Sequence, residues 1–312
     1  VHDILIGRLV GGKIDFGESF GLLTTGVFVP FAAVLPYVFA FYLVLSFLED
    51  FGYLPRLAVL ADNIMHRLGV HGYAIIPMLL GLGCNVPGAL STRIMETKRE
   101  RFIAAVIMAI TVPCMAQIAM VMGLVGKHGA KALFVVFGTL FLVAILLGLF
   151  LNKTLKDHSP ELFVEIPPYH IPYLKGVFKK VWMRLLWFLK EAVPWVLFGV
   201  FLVNVLYTLR IIEFVGKLVE PVVSGILGLP AGAVGALLIG FLRKDIAVGM
   251  LVPLQLSLKQ LVIASVVLTM YFPCVATFAV LIKEFGLKDM LKATLLMVFS
   301  TLLVGGFLNL IL

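Results

Sequence analysis

Three short stretches put cysteine beside a helix breaker inside otherwise apolar sequence. Gly81-Leu-Gly-Cys-Asn-Val-Pro87 interrupts a hydrophobic run with two glycines and a proline. Lipid offers no partner to the backbone groups freed by such a break, so they must face protein or water. Cys84 and Asn85 stand at the break and bring a soft thiol and an amide oxygen beside the freed carbonyls. In Val112-Pro-Cys-Met-Ala-Gln117 the proline lacks an N–H and exposes a carbonyl one turn earlier, while Cys114 and Gln117, three apart, share a helix face. Met115 adds a thioether. Phe272-Pro-Cys-Val-Ala-Thr277 repeats the arrangement with Thr277 at the place of Gln117. Sulfur favours a transition-metal cation over Mg²⁺ or Ca²⁺, which prefer shells of oxygen. Each stretch also has a plainer reading, Cys84 as a small hydrophobe at a tight contact and a lone Pro-Cys as a kink. The presence of two Pro-Cys copies favours a shared site.

Other polar groups are fewer. Arg243, Lys244 and Asp245 stand in a membrane-grade segment, where an ionisable side chain costs a few kcal/mol. They form either a solvated loop between short interfacial helices or a Lys244–Asp245 pair at a hairpin tip, with Asp245 joining or gating a cation path. Glu49 and Asp50 follow the first span, marking its aqueous end or serving as a charged gate. His66, His71, His128, His158 and His170 have no partner at helical spacing and read as surface residues. Three cysteines in no zinc-type spacing indicate neither a disulfide scaffold nor a structural zinc site. No phosphate-binding loop, HExxH, GxSxG or kinase-like constellation occurs, so no catalysis and no permanently bound cofactor is expected of this chain.

The elements that must hold these residues are membrane helices. With 62% hydrophobic and 13% charged residues and a mean hydropathy of +1.11, the chain needs lipid. Runs of about 20 residues, enough to cross the hydrocarbon, fall near 27–48, 102–126, 132–152, 187–208, 260–282 and 290–312. That predicts six crossings, with insertion led by the first span, since residues 1–25 have no signal-peptide pattern. The net charge of +8 comes from Lys and Arg beside the spans, where they act as orientation signals rather than a nucleic-acid surface.

The chain also repeats itself about 160 positions on. After an amphipathic leading segment, 1–25, come a first repeat, 26–152, a basic and proline-containing cytoplasmic linker, 153–186, and a second repeat, 187–312. Within the repeats Leu79–Asn85 corresponds to Leu238–Lys244, and Val112-Pro-Cys114 to Phe272-Pro-Cys274. If the glycine-interrupted segments are re-entrant, the basic loops all fall on the cytoplasmic side and each repeat crosses three times, so the second is inverted. The expected fold is an all-α polytopic membrane protein of two inverted repeats with re-entrant hairpins and broken helices, an architecture of transporters.

These motifs resemble the membrane domain of the ferrous iron transport protein B family. Leu45-Ser-Phe-Leu-Glu-Asp-Phe-Gly-Tyr53 is similar to its SFLEDxGY stretch, Gly81–Pro87 to GxGCNVP, Ile166–Pro172 to LPxYHxP, and Phe272–Thr277 with Lys283-Glu-Phe-Gly286 to its closing segment. The resemblance implies two "Gate" repeats, a multi-pass place in the cell membrane, and Fe²⁺ as transported substrate. It puts the family's candidate iron-pathway cysteines on Cys84, Cys114 and Cys274. Two departures stand out: Cys114-Met-Ala-Gln117 where a Cys-Gly-Ala-Arg run is common, and Lys244-Asp245 where Lys-Glu is usual. The implied partners are the lipid bilayer, a GTP-binding domain or small accessory protein, and further copies of the chain in a homo-oligomer. Family members carry a GTP-binding domain and further spans ahead of the repeats; the expectation here is the membrane part of a longer or split protein, or a stand-alone branch. Two other readings are another substrate, either a different divalent metal or a nucleoside-like solute, and a non-transporting scaffold for a GTPase.

Overall fold

The computed structural model describes residues 9–10, 13–14, 35–155, 169, 172–208, 211–241 and 244–312. Two-residue strands, β1 (Leu9–Val10) and β2 (Lys13–Ile14), pair antiparallel; the remaining elements described are helical. The first set is α1 (Leu35–Asp50), α2 (Tyr53–Arg67), α3 (Ile75–Gly83), α4 (Asn85–Ser91), α5 (Lys98–Thr111), α6 (Met115–Val125) and α7 (Ala130–Thr154). The second is α8 (Leu174–Thr208), α9 (Ile211–Leu227), α10 (Gly232–Gly240), α11 (Lys244–Leu251), α12 (Leu258–Met270) and α13 (Val275–Ile311). Helix α13 leaves helical geometry at Gly286, φ 78° and ψ 169°, much as the chain does between α6 and α7 at Gly129, φ 101° and ψ 169°. The order of elements therefore recurs. Helix α8 begins at Leu174, inside the stretch read as linker.

The recurrence extends to single contacts. Gly69, φ 84°, follows the end of α2, and Gly228, φ 65°, follows that of α9, left-handed positions that favour glycine. The Asn152 amide donates to the Arg67 carbonyl at 3.1 Å, and that of Asn309 to the Ile226 carbonyl at 3.1 Å. Just before those asparagines, Gly148 lies under Leu68 and Gly305 under Leu227. Helices α5 and α12 both start from hydroxyl N-caps, Thr97 accepting from the Glu100 N–H and Ser257 from that of Gln260, and Gln260 completes a capping box with Ser257. Asn152 also accepts from Arg99 at 2.6 Å. Asn152→Leu is expected to destabilise the fold by about 1–3 kcal/mol, because it removes an acceptor and a donor at a half-buried helix end. Thermal unfolding in detergent measures it, and Asn309→Leu should act in the same direction.

The glycine-interrupted segments fold back on themselves. In a continuous helix Gly81 and Gly88 would stand about 10 Å apart along the axis. Instead a Cβ added to Gly88 would sit 3.0 Å from the Gly81 Cα and 2.6 Å from Met108 Sδ, so α3 and α4 lie side by side across a break at Cys84. In the second repeat a Cβ on Gly240 would come within 3.2 Å of the Ala247 Cβ. Arms of nine, seven, nine and eight residues are far short of a crossing.

Helices α5 and α12 occupy the centre: Ile103–Thr111 and Leu261–Met270 are buried at every position. A helix that is apolar all round belongs in the interior. The stripe Leu287, Leu291, Leu295, Phe299, Leu303, Phe307 and Leu310 is exposed, as are Phe134, Phe141 and Phe150 of α7, which suits contact with acyl chains. Among the described residues three helical runs are long and apolar enough to cross a membrane, or five if each sharply bent pair is one span, against the six expected. One of the three, Leu258–Ile311, holds two expected spans. Its 54 residues would extend about 80 Å as one helix.

Candidate functional site

Each cysteine caps a helix. Cys84 is the N-cap of α4, Cys114 of α6 and Cys274 of α13, all with extended backbone that ends the preceding segment and starts the next helix. The local reason is visible in the residue types. Pro113 and Pro273 cannot continue the helices before them, and the two glycines before Cys84 weaken α3 at its end. A helix N-terminus leaves its first N–H groups without intrahelical partners, and at α6 the thiol meets one of them. The Cys114 sulfur accepts from the N–H of Gln117, while Gln117 Oε1 accepts from the N–H of Cys114 at 2.7 Å. This is a capping box with cysteine in the place of serine. In the second repeat Cys274 Sγ and Thr277 Oγ1 are 3.2 Å apart.

The repeats interlock at these breaks. Helix α4, which follows Cys84, packs against α13, which follows Cys274; helix α11 of the second hairpin packs against α6, which follows Cys114. Cys84 is within electrostatic reach of Cys274 and Cys114, and Cys114 of Lys244 and Cys274. All three thiols are half-buried and free. Asn85, Gln117, Thr277 and Lys244 are buried beside them. The structure thus gathers Cys84, Asn85, Cys114, Gln117, Lys244, Cys274 and Thr277 around the crossing of the two repeats. Met115, the first residue of α6, is exposed. Among the described residues no three His, Cys, Asp or Glu side chains are close enough to hold a metal ion.

Two further groups belong to the centre. The backbone carbonyl of Thr269, four residues before Pro273, accepts from Lys244 Nζ at 3.1 Å and from Gln117 Nε2 at 3.3 Å. Met108, wholly buried, directs its sulfur at the first hairpin. Pro273 announces the Thr269 carbonyl in the sequence; nothing in the sequence announces Met108. Beside the second break Phe241, Tyr271, Phe272 and Phe278 form an edge-to-face cluster. Tyr271 donates its hydroxyl to the Leu237 carbonyl.

The other charged candidates lie apart from this centre. Glu49 accepts from Arg184 at 2.6 Å, and Asp50 accepts from Lys180 Nζ at 3.0 Å and from the Tyr173 N–H at 2.9 Å. Arg184 also reaches Ser46 at 2.9 Å, so the Ser46–Asp50 stretch ties α1 to α8. The side chains of Arg243 and Asp245, and with them the expected Lys244–Asp245 pair, lie outside the described residues. So do His158 and His170, while His66 and His128 are exposed as expected. His71 is a correction: it is 3% exposed, with Nε2 3.7 Å from Oε2 of a fully buried Glu100. Glu100 is held in the first turn of α5 by Thr97, and a loop histidine is buried because the α2–α3 turn folds onto that turn. Glu284, in the Lys283–Gly286 stretch, accepts from Arg93 Nε at 2.9 Å and joins the first hairpin's exit to α13.

Comparison with known proteins accords with this architecture. The Gate family model, described as nucleoside recognition, matches twice, over residues 31–128 and 189–288. The model for the ferrous iron transport protein B C terminus matches residues 133–184. The Fe(2+) transporter FeoB of Methanocaldococcus jannaschii is 30% identical over 91% of this chain and 48% of its own length. Those of Salmonella typhimurium and Escherichia coli are each 35% identical over 51% of this chain and 21% of their own. The chain thus spans about half the length of the first relative and about a fifth of the others. No solved structure matches. With both repeats matched, apolar helices exposed for lipid and the segment between the repeats matched as well, the chain belongs to the ferrous iron transport protein B family, as a multi-pass protein of the cell membrane built on Gate repeats.

Proposed function

We propose that the chain carries Fe²⁺ inward across the membrane, along a path at the crossing of two inverted repeats. The observation that carries this reading is that all three cysteines cap helices at breaks in the interior, within electrostatic reach of one another. Cys84, Asn85, Cys114, Met115, Gln117, Cys274 and Thr277 serve as transient ligands along the path. Lys244 and Asp245 act as a charged gate at the hairpin, and Glu49 and Asp50 as one at the α1–α8 contact. Sulfur ligands favour a transition metal, and the choice of iron rests on the relatives, which are Fe²⁺ transporters by name. A carrier must also release its cargo, so a loose site of few ligands suits transport better than a closed cage. The chain has no reaction of its own, and a GTPase domain or partner supplies any coupled hydrolysis. The leading segment, 1–25, and the linker, 153–186, lie outside the two repeats, the linker on the cytoplasmic side.

The test is uptake of Fe²⁺ or Mn²⁺ into proteoliposomes under reducing conditions. Serine at Cys84, Cys114 and Cys274 together should lower the rate at least about tenfold while the protein stays folded, since the soft ligands are lost and the shape is kept. Unchanged uptake by the triple variant would sink the thiol path.

A second reading takes a nucleoside-like solute as the cargo. It is favoured by the description of the Gate model and by a half-open cavity of about 400 Å³ among Glu49, Leu80, Pro87, Lys180, Arg184 and Trp187. That volume is in the range of small-molecule sites. Thermal stabilisation by nucleosides and not by Fe²⁺ or Mn²⁺ would select it.

A further inference from the structure

The two Pro-Cys breaks release the same atom, and the two repeats treat it differently. Pro273 has no N–H for the carbonyl of Thr269, and Pro113 has none for that of Ala109. In the second repeat the freed carbonyl is taken twice, by the Lys244 ammonium at 3.1 Å and the Gln117 amide at 3.3 Å. Lys244 is 5% exposed, and its Nζ lies 5.8 Å from the centre of the Tyr271 ring. An ammonium against a carbonyl and an aromatic face is a cation already coordinated by protein.

The first repeat has an amide, Asn85, at the hairpin position where the second has that ammonium. The hairpins align Gly81 with Gly240 and Asn85 with Lys244, and the breaks align Ala109 with Thr269. Asn85 is also 5% exposed, and its amide oxygen has no hydrogen-bond partner. That oxygen and Met108 Sδ are 3.4 and 3.0 Å from the point where a Cβ on Gly81 would stand, so both converge on the inner face of the hairpin. Cys84 is the neighbouring residue. The first half-site therefore gathers acceptors and sulfur. A buried acceptor left without a partner is unfavourable by about 1–3 kcal/mol, and a cation that supplies the partner recovers it.

We propose that Lys244 is a tethered cation occupying the second half-site, so that a divalent metal is held only in the first, around Asn85. This rests on the reading of the chain as a divalent-metal carrier. Two pseudo-equivalent cradles then hold one mobile ion rather than two. The fixed ammonium fills the acceptors of its own cradle, and its charge opposes a second ion in a weakly screened interior.

The test counts Mn²⁺ bound to the full 312-residue chain in detergent, by equilibrium dialysis under reducing conditions. Wild type should bind one ion. Lys244→Gln, or Lys244→Met where the glutamine variant does not fold, should bind two; Lys244→Arg keeps the charge and should bind one. Asn85→Leu should bind none, and Asn85→Leu with Lys244→Gln should regain one. A count of one in both uncharged Lys244 variants, or none in the double variant, overturns the proposal and leaves metal transport standing. No Mn²⁺ bound by any variant, with no uptake by wild type, overturns the transport reading and the Lys244 proposal together.

Discussion

Gly88→Val is expected to destabilise the protein by about 3 kcal/mol or more, the upper range for overpacking a tight interior contact. A Cβ on Gly88 would stand 2.6 Å from Met108 Sδ and 3.0 Å from both the Cα and N of Gly81. The sulfur can swing away, but the Gly81 backbone cannot move without opening the hairpin that sets Cys84 and Asn85. Gly88→Ala shares the tight 3.0 Å backbone contact but adds no branches beyond it, so it is milder, and shortening the sulfur chain with Met108→Val should partly restore it. The same second change should leave Gly88→Val unrescued, because the branched side chain still meets backbone. Gly235→Ala in the other hairpin is the control, with its nearest neighbour, Met250 Cε, at an ordinary 3.6 Å. Thermal or denaturant unfolding in detergent measures the series. Wild-type stability of Gly88→Val would mean that the arms do not lie together.

His71→Leu is expected to cost about 3 kcal/mol, as removing one side of a buried polar or ionic pair does. Glu100 is wholly buried; Thr97 Oγ1 lies 3.0 Å from its Oε2, and its Oε1 has no hydrogen-bond partner. Taking away the imidazole leaves that carboxyl deeper in apolar surroundings. The second repeat supplies the remedy, since Gln260 stands where Glu100 does and completes its capping box without an ionisable group. Glu100→Gln should therefore recover most of the loss in the His71→Leu background. A double-mutant cycle read by unfolding gives the coupling. Additive effects of the two changes would show that the pair does not interact.

The all-α membrane class, the two repeats and the breaks at Cys84, Cys114 and Cys274 were legible in the sequence, because hydropathy, Gly and Pro act locally. Burial of His71 was not, since a histidine in a turn has no periodicity to reveal what folds over it. The Ser46–Asp50 stretch was legible as a helix end but not as a clamp, because its partners Lys180 and Arg184 lie about 130 positions away in α8. Spacing could align Asn85 with Lys244 yet could not tell that one has an orphaned oxygen and the other a carbonyl partner.

By themselves the residues of this chain determined where helices break and which chemical groups stand at the breaks. Those are consequences of missing N–H groups, missing side chains and the intolerance of lipid for free backbone. Only the tertiary structure decided that α4 meets α13, that α11 meets α6, and that the Thr269 carbonyl is taken by a lysine from another hairpin. Such meetings depend on shape and long-range packing, and close contacts such as Gly88 on Gly81 exist only once the arms have folded together.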